Sequence, residues 1–131
     1  MTADDMKLLK ALSVRIEPVG SRVTCFPPPM DTDADYLVLV ESHDLFRSVI
    51  AEIDFVMGGS AVLDANVPLD SADRFSSYTK GIDNLIVTQD ASFFEKFMVA
   101  TRVAKHLNLL SKPDRILLFQ AVLYSTCHLM P

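Results

Sequence analysis

The sequence predicts an α+β domain in which a small mixed β-sheet is covered by helices. Short apolar runs at Ala34–Val40 and Ile82–Thr88 have the length and branching of buried strands. Between and around them, apolar residues recur at helical spacing. At 131 residues, half of them apolar, the chain suffices for one domain (1–131) with a core of its own.

Residues 3–17 read as an amphipathic helix, with Met6, Leu9, Leu12 and Ile16 on one face, Thr2 and Asp5 as a capping pair, and Pro18 as its end. Val19 to Phe26 holds a Gly-Ser turn and a short strand, and Pro27 to Asp31 is a loop. After the Ala34–Val40 strand, a second helix is expected from Asp44 to Met57, stopped by Gly58-Gly59-Ser60. Residues 58–80 are the least patterned stretch and read as an irregular strand or loop near the site. Following the Ile82–Thr88 strand, Asp90 caps a long helix to Asn108 whose apolar face includes Phe93, Phe94 and Phe97, spaced for packing. Ser111, Pro113 and Asp114 open a last helix through Tyr124.

Composition narrows the function. No apolar run approaches the roughly 20 residues needed to cross a bilayer, and no signal-peptide pattern is present. No membrane role is expected, and the cytoplasm is the default location. Cys25 and Cys127 are far apart without ligand spacing, so buried thiols are expected rather than a disulfide. His43, His106 and His128 form no cluster, which argues against zinc. Residues 30–90 carry twelve acids against Arg47, Arg74 and Lys80, a local −9, whereas 91–131 is a local +3. An acidic centre suits a metal site and opposes strong bulk affinity for nucleic acid. The basic end could face a triphosphate or a partner.

The stretch Gly20 to Val40 carries the chemistry. Asp33 and Asp35 open an apolar strand, and residues two apart on a strand share a face. Two carboxylates held side by side repel unless a cation sits between them. Hard divalent ions, Mg2+ or Mn2+, take carboxylate oxygens together with the phosphate oxygens of a nucleotide. Beside Pro27-Pro28-Pro29, an isolated Asp-x-Asp would read as a solvated turn. The strand that follows it, and the Gly20-Ser21 turn before it, favour a site.

Gly-Ser, eleven residues, then Asp-x-Asp and a Leu/Val strand resembles the signature of the DNA polymerase beta-like nucleotidyltransferase superfamily. The layout, with Asn84-Leu85-Ile86-Val87-Thr88 and Lys112 to Tyr124, is similar to small stand-alone nucleotidyltransferases of tailed bacteriophages, which would place the protein in a host cytoplasm. The resemblance implies a minimal core of that fold with two C-terminal helices. It also implies metal on Asp33 and Asp35, phosphate contacts at Gly20 and Ser21, and transfer of an NMP from an NTP to a hydroxyl with release of pyrophosphate. The acceptor is left open between a protein, an RNA end and a small molecule. A third acid is implied on the later strand, at Asp83 or Asn84. The likeness of Asn84–Thr88 to the phage element points to Asn84, but the cost of burying an unpaired carboxylate on the other face favours Asp83. Asp83 is therefore expected to complete the catalytic set. Lys80, Arg74 and Arg22 are the candidate cations for the phosphates, although each also reads as an ordinary loop charge. The rival reading is a degenerate module that binds a nucleotide or a protein without turnover.

Overall fold

The structure, a computed structural model, describes residues 1–29, 32–57 and 75–124. Asp31, the Gly58-Gly59-Ser60 stop, Arg74, Cys127 and His128 lie outside them. Helix α1 (Ala3–Leu12) starts on the expected capping box, in which the Asp5 backbone N–H donates to Thr2 Oγ1 at 3.0 Å. It stops at Leu12, short of residue 17. Ser13 turns extended, and residues 15–19 become strand β1 (Arg15–Val19). Pro18 lies inside that strand rather than ending a helix. It is tolerated there because β1 is an edge strand, bonded among the described residues only to β2.

Gly20 turns the chain into α2, one helical turn over Ser21–Thr24 where a short strand was expected. Strand β2 (Ala34–Leu39) then runs antiparallel to β1. Ser42 caps α3 (His43–Ala51), which also ends earlier than its apolar spacing implied. Asp54 takes a left-handed φ of 73°, Phe55 tucks into the core, and Val56–Met57 forms the short strand β3. Strand β4 (Ser76–Lys80) follows, then β5 (Asp83–Thr88). The expected long helix is α4 (Ala91–Leu107), capped by Asp90 and closed by Asn108 at φ 48°. The last helix is α5 (Lys112–Tyr124).

The five strands form one mixed sheet in the order β1-β2-β5-β4-β3, with β2 and β5 parallel and the other pairs antiparallel. Alternate residues supply two cores. Leu37, Ile86, Phe75 and Val19 pack beneath α4 and α5, against Phe93, Phe94, Phe97 and Phe119. Val38, Leu85, Val87 and Tyr78 pack on the other face against Leu9 of α1 and Phe46 and Ile50 of α3. The expected α+β architecture is found. Among the described residues no helix is long and apolar enough to cross a membrane.

Candidate functional site

Side-chain alternation places a row of residues across the sheet on the α4/α5 face. Val19 of β1 pairs with Asp35 of β2, Asp35 with Asn84 of β5, and Asn84 with Thr79 of β4. Above this row opens a cavity of about 550 Å3 whose polar side includes Gly20, Ser21, Asp33, Asp35 and Lys112. Asp33 and Asp35 thus face one cavity, together with the Gly-Ser turn. Asp33 is exposed, whereas Asp35 is partly buried.

Gly20 is required where it stands. Its φ of 79° and ψ of −173° are essentially glycine-only backbone. A Cβ there would overlap Asp35 Oδ2 and lie 3.0 Å from Asp35 Cβ and Cγ. The carboxylate therefore rests directly on the glycine backbone. Next to it, Arg22 spends its guanidinium on the Thr32 carbonyl, through Nε at 3.0 Å and Nη2 at 2.6 Å. Thr32 in turn donates to the Pro29 carbonyl at 3.0 Å and lies 3.4 Å from the Ser21 hydroxyl. Arg22, expected to meet phosphate, holds the segment just ahead of Asp33.

Two other expectations do not match the placement. Asp83 lies on the opposite face, buried at 5% exposure, and its carboxylate pairs with the Met1 ammonium at 2.5 Å. That ion pair removes the burial cost that had argued for turning Asp83 toward the site. Asn84 faces the pair instead, donating from Nδ2 to Asp35 Oδ1 at 3.0 Å. Lys80, four residues from Asn84 with a turn between, also points to the far side. Its Nζ lies 2.7 Å from Asp5 Oδ2 of α1 and 5.8 Å from the centre of the Phe55 ring. Register forces both outcomes, because Lys80 pairs with Asp83 and Thr79 with Asn84.

Burial pushes the Asp35 carboxyl above its ordinary pKa. The Asn84 amide opposes that shift, the Asp33 charge adds to it, and Arg22 and Lys112 counter it. The donor set is hard oxygen. Asn84 Oδ1 is buried with no hydrogen-bond partner among the described residues, and so is Ser77 Oγ, which lines the same cavity. Carboxylates of Asp33 and Asp35 with an uncommitted amide oxygen beside them fit a hard divalent cation. An amide can coordinate such an ion but cannot accept a proton near neutral pH.

The cavity also gathers residues that the sequence pattern does not single out one by one. Lys112 stands at the start of α5. Arg115, one turn on, is anchored to the Leu109 and Leu110 carbonyls, each at 2.8 Å, and to Cys25 Sγ at 3.2 Å. Cys25 is a buried thiol, as expected. Ser77 and Thr79 sit on β4, where the available signal was a Ser/Thr alternation in a stretch without apolar periodicity.

A chain of conserved protein GrpB from Enterococcus faecalis shares this arrangement of elements, with a TM-score of 0.52 over 92% of this chain and 88% of that one. The two chains thus share an α+β fold. Sequence identity to GrpB is 13%, so the likeness speaks for architecture and not for activity. No family model matches the sequence, and none of the curated proteins compared with it does.

Proposed function

We propose that this chain is a metal-dependent nucleotidyltransferase that moves an NMP from an NTP to a hydroxyl acceptor and releases pyrophosphate. The observation that carries the reading is the convergence of Asp33, Asp35 and the Gly20-Ser21 turn on one cavity. Asp33 and Asp35 would hold Mg2+ or Mn2+, which when bound neutralises phosphate charge and lowers the pKa of the attacking hydroxyl. Gly20 keeps the turn free of side-chain bulk so that phosphate can approach its backbone. In the reaction an acceptor oxygen bonds to the α-phosphorus and the bond to the β-phosphate bridging oxygen breaks. The hydroxyl proton passes to solvent, because Asn84 cannot take it. A protein side chain, an RNA end or a small molecule all supply a suitable hydroxyl. Membership in the phage-encoded kind, and with it a host-cytoplasmic setting, rests on the likeness of residues 84–88 and 112–124.

Asn84 favours a second reading, a module that binds Mg-NTP without turnover. The experiment follows pyrophosphate release and Mg-NTP affinity together. Release that disappears in Asp35→Ala supports the enzyme. Affinity that depends on Asp35 with no release in the presence of varied acceptors supports the module. Affinity unchanged in Asp33→Ala and Asp35→Ala would sink both.

A further inference from the structure

The cavity of about 550 Å3 has an apolar wall as well as its polar side. Ile86, Phe97 and Phe119 are buried in its wall at 6%, 3% and 7% exposure. The two phenylalanines meet edge to face with ring centres 4.9 Å apart. Ser77, in register with Ile86 on the neighbouring strand, is only 8% exposed, and its hydroxyl has no hydrogen-bond partner among the described residues. A buried hydroxyl without a partner is costly, and a ligand atom that reaches it removes that cost. Another part of the lining differs. Lys112 is exposed and makes no hydrogen bond or ion pair with a described residue, yet it lines the same cavity as Ser21 and Asp35. It stands in the first turn of a 13-residue helix, where the backbone dipole adds positive potential.

We infer that the cavity orients its nucleotide, with Lys112 holding the phosphate tail and the chamber at Ser77, Ile86 and Phe119 receiving the nucleobase. The inference rests on the nucleotide-binding reading above and assigns two residues that reading does not use. A nucleobase matches the inner chamber because it is planar and apolar on its faces and carries hydrogen-bonding groups along its edge. Ser77 Oγ can donate to or accept from a group on that edge. A triphosphate matches the outer end because a mobile ammonium can follow its charge. Lys112 thus takes the task expected of Lys80, Arg74 or Arg22.

The test is calorimetric titration of wild type, Lys112→Met and Ser77→Ala with three probes. These are α,β-methylene analogues of the four NTPs with Mg2+, the matching nucleosides, and inorganic triphosphate with Mg2+. Lys112→Met should weaken the analogues and inorganic triphosphate about tenfold, as expected for one charged contact, while leaving nucleoside affinity unchanged. Lys112→Arg should restore most of it. Ser77→Ala should weaken the analogues and nucleosides severalfold while leaving inorganic triphosphate unchanged. If both variants alter all probes alike, or neither alters any, the orientation is wrong. Should that happen while Asp35→Ala still abolishes analogue binding, the nucleotide site stands and only the orientation falls. Wild type that binds no analogue, or Asp35→Ala that binds as wild type does, overturns both.

Discussion

Asn84 donates its side-chain amide to Asp35 Oδ1 at 3.0 Å from the adjacent parallel strand, in direct register with it. A neutral donor thus occupies the place where the resemblance implied a third carboxylate. It stabilises the ionised Asp35 that a metal would bind, and in the proposed reaction it would leave the acceptor hydroxyl without a base.

Asn84→Asp should expose this substitution. Losing a hydrogen bond to a charged group and gaining a like charge would cost about 2 kcal/mol at neutral pH without metal. Added Mg2+ should recover that loss, raising the melting temperature more in the variant than in wild type. Calorimetry with and without Mg2+ reads both effects. A variant as stable as wild type and indifferent to Mg2+ would show that the three side chains do not share a site.

Gly20→Ala places a methyl group onto the Asp35 carboxylate in backbone that other residues avoid. The strain alone amounts to about 1–3 kcal/mol, so the melting temperature should fall by about 5–10 °C. In a double-mutant cycle with Asp35→Ala the clash with the carboxylate disappears while the 3.0 Å contact to Cβ and the backbone strain remain, so Gly20→Ala should cost less in the Asp35→Ala background than in wild type. Strict additivity would place the carboxylate away from the glycine.

The raised pKa of Asp35 has a definite sign in stability. Between the ordinary carboxylate value of 3.8 and the higher folded value, the native state binds more protons, so stability falls as pH rises through that window. Above it the penalty of a buried, ionised carboxylate is constant. Asp35→Asn should therefore be more stable than wild type at pH 7, and the advantage should vanish as pH drops below 3.8. Urea titrations at neutral and acid pH test this, and a variant less stable than wild type at pH 7 would contradict it.

Lys80→Met separates the two faces of the sheet. The change leaves Asp5 without its 2.7 Å partner, and stability should drop. Mg-NTP affinity should be unchanged, because the ammonium lies behind the sheet. A large loss of affinity in a folded variant would return Lys80 to the phosphate site.

Legibility in the sequence followed the kind of force involved. The caps at Thr2 and Asp90, the phenylalanine face of α4 and the strand at β5 were readable because local spacing and burial agree there. Strand β1 was hidden because Leu9, Leu12 and Ile16 continue a helical period across the helix end, and because Pro18 reads as a breaker unless the strand is known to be an edge. Strand β4 was hidden because Ser77 and Thr79 face a cavity and so lack the apolar alternation of a core strand. Asp33, Asp35 and Gly20 came from a motif and share the cavity. Asp83 and Lys80 could not be oriented from the sequence, because the partners that draw them to the far face, Met1 and Asp5, sit 82 and 75 residues away in the chain. Lys112 could not be placed because its meeting with the site depends on how α5 packs.

The exposure of Asp33 bears on the order in which ligands arrive. On the proposed reading, a nucleotide approaches a molecule of net charge −5 and a cavity lined by an exposed carboxylate as well as by Lys112. At long range that encounter is repulsive, so added salt, which shortens the Debye length to about 8 Å at physiological strength, should speed the association of metal-free NTP where most basic nucleotide sites are slowed. A divalent ion already seated at the carboxylates reverses the local field. Stopped-flow association should then be fastest when protein and Mg2+ are mixed first, making the cation the gatekeeper of the site as well as part of its chemistry.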